Sequence, residues 1–492
     1  MSPRFSIRRR ALLQLAGGGL AVAPLPALGA GKEGGRPPAA AAAPASAIWT
    51  EFFKGQRVWA YIDRHGVDPG ETFNVMAAGG PGQPSRQVRL EVFRIGAAGP
   101  VPIWRSEFVT VGYRGATASG AAIGPGWPPT WTVTATAGWA PGCYYADIVE
   151  QTTATRDVKA FFWIVKNPRR SGRVLCRLGT NTYQAYNPWG GHSLYPNDDD
   201  EARGLMVSFD RPTPPDFFEY DVFLVQWLEG LSDLGGVDYA SNFDVHHDPG
   251  LIDRYPLVVT SAHDEYWSDV EFGAFERRIF TLGRNTVFFG ANTAYCQVRY
   301  GDLNRAPSGP DQGRQLICYK TGFDPVANRV ADSRLLVTDN FRTGGRRPES
   351  QLLGGAYQNW FEPGTAQRPT FTVARTDLPF FAGTGWKVGD AAADVIGYEW
   401  DNRDPDGDGR HLLAPGANPR IDPASVKVLF QGRVLGEDGE AGLAESTYFT
   451  SRAGAKVFNA ASVRWAWGLG KDGFANAPFR RFNENLVRAL SR

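Results

Sequence analysis

The sequence predicts an α/β protein with an all-β domain: an N-terminal immunoglobulin-like β-sandwich over 48–168, then a doubly wound α/β domain over 169–492 with β-rich C-terminal additions. In the first segment, short alternating apolar runs are separated by turn residues. In the second, apolar runs alternate with helical stretches. Glycine (58) and proline (35) are plentiful among the 492 residues, which favours a loop-rich chain with much β-structure.

The first 30 residues predict an export signal. The arginine cluster 8-RRR-10 stands directly before an apolar stretch that ends in small residues and prolines, as in twin-arginine signals. Gln14, several glycines and two prolines interrupt that stretch, which argues against the alternative of an uncleaved anchor. We therefore expect the twin-arginine translocon to deliver a periplasmic or secreted protein. An Ala-, Pro- and Gly-rich linker is predicted over 31–47.

Charge balance, motif content and cysteine spacing argue against several classes of protein. Lys and Arg (52) nearly balance Asp and Glu (51), so the sequence predicts no nucleic-acid surface. The sequence contains no GxSxG, Walker or GxGxxG motif, so a serine hydrolase, a nucleotidase and a Rossmann dehydrogenase have no support. Oxidising conditions would permit two disulfides, but the pairing stays open and no zinc spacing occurs among the four cysteines, Cys143, Cys176, Cys296 and Cys318.

Each predicted strand is an apolar run between turn residues. In the sandwich the runs are 56–62, 87–95, 129–137, 143–151 and 158–166. The segment 167-NPRRSG-172 is the predicted domain boundary. After it, strands are predicted at 173–179, 221–231, 256–262 and 286–292.

A helix is predicted between the last two of these runs, over 268–283. Ser268 and Glu271 form a capping box, apolar residues recur at helical spacing, and Gly283 supplies a C-terminal cap. Residues 256–292 therefore form a βαβ unit with parallel strands. Because the carboxyl ends of parallel strands meet at one edge, 263-HDE-265 and 291-ANT-293 should face one crevice.

The segment 263-HDE-265 is the first candidate for chemistry. In extended chain His263 and Glu265 share a side, which suits a carboxylate ligand or base beside an imidazole acid/base. The alternative is that Asp264 or Glu265 only caps the following helix. That alternative is weaker for Glu265, because Ser268 already serves as the cap.

A second polar region, 180-TNTYQAYNPWGGHSLYP-196, follows the strand 173–179. Its polar side chains are interleaved with Trp189, and tyrosine-rich loops often only pack. Its position beyond a strand's carboxyl end favours a role in a site. The candidates are Tyr183, Tyr186, Asn187, His192 and Tyr195.

Two further motifs predict structure rather than chemistry. The neighbours His246 and His247 in 244-DVHHD-248 point in opposite directions, so a structural role is favoured and zinc binding is a weaker option. The segment 404-DPDGDG-409 begins like a calcium loop, but Pro415 stands where the twelfth-position glutamate belongs. A turn is the better interpretation.

Five motifs in order resemble the C-terminal region of the large (beta) subunit of N,N-dimethylformamidase and its relatives. They are AYN-x-WGG-x-SLY at 185–195, SFDRP at 208–212, HDEYWS at 263–268, FFGAN at 288–292 and VRWAWGLG at 463–470. The resemblance implies a glutamine-amidotransferase-like (flavodoxin-like) α/β domain without a cysteine nucleophile. It also implies a mononuclear ferric ion, Fe(III), held by two tyrosines and a glutamate.

Carried onto this sequence, the resemblance makes Glu265 the carboxylate ligand, His263 the nearby histidine and Asn292 the nearby asparagine. Tyr186 is one tyrosine ligand, with Tyr183 as a competitor. The other tyrosine is expected from 142-GCYYAD-147, with Tyr144 favoured over Tyr145. Phenolate and carboxylate are hard oxygen donors that suit Fe(III), and three such ligands leave positions for water and a substrate carbonyl. Trp189, Trp267 and Asn187 are candidates to line the substrate pocket.

These inferences predict an exported, iron-dependent hydrolase of C–N bonds in a small or peptide-like amide. The family's large subunit works with a small subunit, so the expected partners include such a subunit or a second copy of the chain. The rival hypothesis is a non-catalytic periplasmic or cell-envelope binding protein that keeps the family fold, supported by the 13% aromatic content and the sandwich. Retention of two tyrosines, a glutamate, a histidine and an asparagine argues against the rival.

Overall fold

The computed structural model describes residues 57–492 except 81, 83, 116–119, 154–155, 196–202, 213–215, 302–312, 321–323, 329–335, 343–346 and 405–419, and the side chains of 156, 158 and 423. The predicted export signal, the linker and all but the first residue of 404–409 lie outside this part of the chain. Within it, no helix is long and apolar enough to cross a membrane.

Two antiparallel sheets form the N-terminal part of the described chain. One has the order β1-β2-β6 and the other β4-β3-β7-β8, with β5 also paired to β3. All five strands predicted there are present, and three more were missed: β2, β4 and β5. The bounds are β1 Val58–Ile62, β2 Thr72–Gly79, β3 Arg86–Gly96, β4 Gly99–Arg105, β5 Val109–Val111, β6 Trp131–Thr134, β7 Gly142–Glu150 and β8 Arg156–Val165.

Alternation along β7 decides which tyrosine faces which core. Tyr144 and Ala146 point into the core shared by the two N-terminal sheets. Tyr145 points the other way and packs with side chains of the C-terminal part. This is the two-residue period of a strand that is buried on both faces.

A nine-stranded sheet forms the centre of the remaining chain, in the order β11-β9-β12-β14-β23-β22-β21-β18-β19. The first five strands are parallel to their neighbours and the last four pair antiparallel. The bounds are β9 Val174–Leu178, β11 Val237–Ser241, β12 Leu257–Thr260, β14 Asn285–Phe288, β18 Phe371–Val373, β19 Ala391–Ala393, β21 Lys427–Leu435, β22 Ala441–Thr450 and β23 Lys456–Asn459.

Short strands outside this sheet form two small sheets. One has the order β10-β16-β15-β13 and the other pairs β17 with β20. The second brings residues 399–402 beside the main sheet, as the bridge between Trp400 and Ser462 shows. The bounds are β10 Met206–Ser208, β13 Tyr266–Ser268, β15 Cys296–Gly301, β16 Gln315–Ile317, β17 Ala356–Trp360 and β20 Glu399–Asn402.

Helices cover both faces of the parallel half of the sheet. The helix that follows β10 packs its buried Leu224 and Leu228 on one face, and the helix after β13 packs Phe275 on the other. The helices are α1 Gly120–Ile123, α2 Thr180–Ala185, α3 Val222–Glu229, α4 Asn242–His247, α5 Asp269–Phe280, α6 Ser350–Leu353, α7 Trp467–Gly470 and α8 Ala477–Leu490, with a π-helical turn at Phe217–Asp221 and 3-10 turns at Ser232–Leu234, Leu251–Arg254, Pro325–Asn328, Pro379–Phe381 and Pro423–Ser425.

The predicted βαβ unit is present: β12 and β14 are parallel neighbours joined by α5. Ser268 caps α5 by accepting from the Glu271 N–H, and Gly283 has the positive φ (64°) expected of a C-terminal glycine. The Glu271 carboxylate, however, pairs with the buried Arg177 instead of completing the capping box.

The prediction of a strand over 221–231 is wrong, because this segment forms α3. A short apolar run does not distinguish a strand from a buried helix, and burial of Leu224, Val225, Trp227 and Leu228 follows helical spacing. The chain as described is β-rich, with four antiparallel strands extending the parallel ones. The flavodoxin-like assignment and the 167–172 boundary stay predictions.

Candidate functional site

The candidate site lies where β9, β12 and β14 end at their carboxyl termini. Residues after β12 and β14 approach closely, and His263 and Ala291 form a parallel bridge. Gly290 permits this approach, because a Cβ atom there would lie 2.0 Å from the Ala262 carbonyl oxygen. The segment 263–265 and Asn292 therefore meet in one buried crevice.

Two tyrosine hydroxyls converge on the carboxylate of Glu265. The Tyr186 hydroxyl donates to Oε2 at 2.8 Å, and the Tyr195 hydroxyl donates to Oε1. The two rings are stacked with centroids 4.2 Å apart. Glu265 is 1% exposed and Tyr186 is half-buried, so the carboxylate that both hydroxyls contact is shielded from bulk solvent.

The loop after β9 positions both tyrosines. Helix α2 begins directly after this strand, and Tyr186 follows its last residue. The Leu194 N–H donates to the Ala185 carbonyl at 2.8 Å, which folds Tyr195 back beside Tyr186. Thr182 also accepts from the Glu265 backbone N–H at 3.0 Å, so the loop is fastened to the segment after β12.

A buried cation and a thiol also border this oxygen cluster. The Lys320 ammonium lies 3.3 Å from the ring centroid of Tyr195, and the Cys296 thiol donates to Glu265 Oε1 at 3.5 Å. The ammonium therefore lies over the face of the Tyr195 ring in a cation–π contact.

His263 bridges two carboxylates and a phenol. Its Nε2 lies 3.0 Å from Glu399 Oε2 and 3.6 Å from Glu265 Oε2, while its Nδ1 lies 2.9 Å from the Tyr398 hydroxyl. Burial lowers the pKa of His263, but the Glu399 and Glu265 carboxylates raise it by more, to about 10. The arrangement can hold a proton between imidazole and carboxylate.

Asn292 joins this group from β14. Its Nδ2 donates to Glu399 Oε2 at 3.0 Å, and its backbone N–H donates to Asp401 Oδ1 at 2.8 Å. Its φ of 53° lies in the left-handed region, which asparagine tolerates better than most residues. Burial raises the pKa of Asp401 to about 7.

Asp264 faces away from the crevice. Its carboxylate accepts from both terminal nitrogens of Arg177, each at 2.5 Å, and Arg177 Nε lies 3.0 Å from Glu271. All three side chains are fully buried. This ion-pair network holds the backbone at Asp264 in place, and so positions its neighbours His263 and Glu265.

Tyr144 does not join the cluster. Its hydroxyl donates to the Ala140 carbonyl at 2.6 Å, and its ring lies between Trp139 and Trp163 inside the N-terminal core. The structure thus corrects the expectation that β7 supplies the second tyrosine. Tyr145 also lies outside the cluster, since its ring stacks on Phe93.

The three residues predicted to line a pocket are engaged elsewhere. Asn187 bonds Pro212 and Gln184 and holds the turn before Trp189. The Trp189 ring packs edge-on to Trp127 of the N-terminal part. Trp267 lies under Arg177, whose guanidinium is 4.6 Å from the ring centroid, and its packing is structural.

The competitor Tyr183 is buried away from Glu265. Burial and the neighbouring Asp221 carboxyl raise its pKa well above the usual range.

His246 binds Ser268 at 2.9 Å, and burial lowers its pKa to about 4, which agrees with the structural role favoured for it. His247 stacks on Phe243. The four cysteines are free and buried.

Sequence reasoning placed Tyr195 in the polar loop but missed its position beside Glu265. It missed Tyr398 and Glu399 altogether. The stretch 396-IGYEWDN-402 carries the same mixture of tyrosine, tryptophan and acids as 263-HDEYW-267, and that composition was the available signal. Across the described residues, no three His, Cys, Asp or Glu side chains form a metal-binding group; the oxygen cluster contains one such residue and two tyrosines.

These features define a β-rich protein with a buried cluster of phenol, carboxylate and imidazole groups beyond the ends of parallel strands. Residues 89–477 match the family described as "N,N-dimethylformamidase beta subunit-like, C-terminal". The match covers well over half of the chain, so this protein belongs to that family, as the five motifs predicted. A search of curated proteins gave no match.

Proposed function

We propose that this protein is an exported, iron-dependent hydrolase of the C–N bond in a small or peptide-like amide. The observation that carries the proposal is the convergence of Tyr186 and Tyr195 on Glu265, with His263 3.6 Å away. Family membership supports a hydrolase-related role. The metal, the substrate and export are our inference.

The donor set suits a ferric ion. Two phenols and a carboxylate would be hard, anionic oxygen ligands when ionised, and their three charges would balance a trivalent ion. Tyr186, Tyr195 and Glu265 would hold the ion, which when bound would polarise an amide carbonyl and acidify water.

The protein's own groups supply the proton transfers. The oxygen of a water molecule bonds to the carbonyl carbon while Glu399 takes a proton from it. The C–N bond then breaks, and the departing nitrogen takes a proton from His263, which lies 3.0 Å from Glu399. The products are a carboxylic acid and an amine, and the proton on Glu399 returns to His263 to complete the cycle.

The deciding experiment is metal analysis with a visible absorption spectrum on the exported full-length chain. We expect one iron per chain and a tyrosinate-to-iron charge-transfer band. Tyr186→Phe, Tyr195→Phe and Glu265→Ala should each weaken the band and lower the iron content. Tyr144→Phe is the matched control, because Tyr144 bonds Ala140 in the N-terminal core and should leave both unchanged.

A stable, colourless, metal-free protein would overturn the hydrolase proposal and put the rival, a non-catalytic envelope-binding protein, in front. Loss of the band in Tyr144→Phe alone would show that the ligand set derived from the geometry is wrong.

Export is tested separately: replacing Arg8 and Arg9 by lysine should abolish appearance of the chain outside the cytoplasm.

A partner subunit is also part of the proposal. The family's description as beta subunit-like supports it, and a second copy of this chain is the alternative partner. Native mass spectrometry of the chain purified from its source distinguishes the two by mass. A strictly monomeric, active enzyme would overturn both.

A further inference from the structure

Two cysteines lie together beside the candidate site. Cys296 is on β15 and Cys318 directly follows β16, and these two strands pair antiparallel. Val298 and Leu316, two residues along each strand, belong to the same buried apolar cluster as both cysteines, so the two thiols face one side of the sheet. The thiols hydrogen-bond to each other. The Cys318 thiol also donates at 3.6 Å to the carbonyl of Gln297, the residue next to Cys296.

The pairing of the strands brings the two sulfurs within reach of a covalent bond. Arg299 lies opposite Ile317, and continuing this register sets Val298 opposite Cys318. Cys296 is then the diagonal neighbour of Cys318 on the same face of the sheet. Thiols in such contact are close to the geometry of a disulfide, whose Cα atoms lie about 4.4 to 6.8 Å apart.

Cys296 is also bound to Glu265 by two hydrogen bonds. Its backbone N–H donates to the Glu265 carbonyl at 2.9 Å, and its thiol donates to Glu265 Oε1 at 3.5 Å. Cys296 therefore connects Glu265 to the chain after β16 by way of Cys318. A bond between the two sulfurs would take the thiol hydrogen away from Glu265 Oε1 and would tie the backbone at Glu265 to both strands.

We propose that Cys296 and Cys318 form a reversible disulfide, a redox-sensitive cross-link that fixes the segment carrying Glu265. Oxidation removes one proton and one electron from each thiol, and the two sulfurs join. A small oxidant takes up both electrons and both protons: a low-molecular-weight disulfide becomes two thiols, and a diazene becomes a hydrazine. The proposal depends on the positions of the two thiols and not on the activity or metal content of the site.

Burial limits which reagents can make this cross-link. Cys296 is 2% exposed and Cys318 is fully buried, so an oxidant reaches them only when the surrounding structure opens locally. The same shielding protects the disulfide from reductants once it has formed. The experiment therefore needs a small oxidant and a condition that promotes local opening.

The test maps the cross-link in the full-length protein. Reduced protein is treated with diamide, a small diazene, in buffer and again at a urea concentration just below the unfolding transition. Remaining thiols are alkylated, and the chain is digested with trypsin without reductant. Because trypsin cleaves after arginine and lysine, Cys296 and Cys318 fall in separate peptides, 285–299 and 315–320. We expect mass spectrometry to find these two peptides joined, with a mass two hydrogen atoms below their sum, and to find them separate after treatment with dithiothreitol.

Stability tests whether the cross-link fixes the segment. Oxidation should raise the Tm of the wild type by about 2 to 5 °C. Cys318→Ala removes one sulfur of the pair and should lose both the joined peptides and this rise in Tm. Cys176→Ala is the matched control, because Cys176 is also a fully buried cysteine but lies on β9 in the other core, and this variant should keep both. Each variant is compared with its own reduced form, so a general loss of stability does not obscure the result.

The outcomes are decided without turnover or iron, so they are independent of the hydrolase proposal. Four alkylated cysteines after oxidation, with urea as well as without it, would overturn the proposal. A link from Cys296 or Cys318 to Cys143 or Cys176, in place of the expected one, would also overturn it. A link between Cys296 and Cys318 that leaves the Tm unchanged would refute its role in fixing the segment that carries Glu265.

Discussion

The buried carboxyl of Asp221 predicts a specific dependence of stability on pH. Asp221 ends the π-helical turn before α3 and is 1% exposed. Burial raises the pKa of this carboxyl to about 7, although the Ser261 and Tyr183 hydroxyls act to lower it. The ordinary value, 3.8, applies once the chain unfolds.

The sign of the effect follows from these two pKa values. Between about pH 4 and pH 7 the folded protein holds a proton that the unfolded chain has lost. The stability due to this proton is fully present below about pH 4 and is lost as the pH rises through about 7. From about pH 5 to about pH 8 the loss amounts to about 2 to 3 kcal/mol, at about 1.4 kcal/mol for each unit of pKa.

The Asp221→Asn amide stays neutral and does not suffer this loss. Relative to the wild type, its free energy of unfolding should therefore rise by about 2 to 3 kcal/mol between about pH 5 and about pH 8. Urea denaturation followed by tryptophan fluorescence at both pH values measures the difference.

Asp233→Asn is the control for this comparison. Its exposed carboxyl has a pKa lowered by the Arg488 guanidinium, so its small effect has the opposite sign. The burial argument is refuted if Asp221→Asn changes the free energy of unfolding equally at both pH values. It is also refuted if the wild type becomes more stable relative to the variant as the pH rises.

Three further predictions concern the frame and chemistry of the site. Gly290→Ala should lower stability by about 2 kcal/mol or more by thermal denaturation, because the added carbon meets backbone, whereas Gly364→Ala has open space and should be nearly neutral. Arg177→Met leaves Asp264 buried without its cation and should cost about 3 to 5 kcal/mol in urea denaturation; an effect below 1 kcal/mol would refute the ion-pair role. Glu399→Gln should lower kcat by about 10²- to 10⁴-fold while the iron content, measured by elemental analysis, stays unchanged.

Local signals identified the βαβ unit, because each of its parts has its own sequence signature. Ser268 caps the helix by its side chain, Gly283 accepts a positive φ, and the flanking runs are continuously apolar, as buried parallel strands require. The run 221–231 carried no such signature, and its identity depends on packing against the sheet. The antiparallel strand β18 pairs with β21, which lies far along the chain (Thr372 opposite Gln431), and no local pattern specifies that pairing.

The site could be predicted where its residues are close in sequence to strand ends. Glu265, His263 and Asn292 all follow β12 or β14, so topology brings them together. Glu399 lies on a two-stranded sheet more than one hundred residues later, and only the tertiary fold brings it to Asn292. The family resemblance favoured Tyr144 as a ligand, but the alternation of side chains along β7 points Tyr144 towards the N-terminal core.

The concentration of polar groups in 263-HDEYW-267 has a geometric explanation. Because successive side chains of an extended segment alternate, His263 and Glu265 face the crevice while Asp264 points beneath it to Arg177. The two crevice-facing groups contact different partners: Glu265 meets the tyrosines and His263 meets Glu399. One short segment therefore joins the oxygen cluster around Glu265 to the proton-transfer pair of His263 and Glu399. The buried ion pair of Asp264 holds this segment in place, and with it the relative positions of His263 and Glu265.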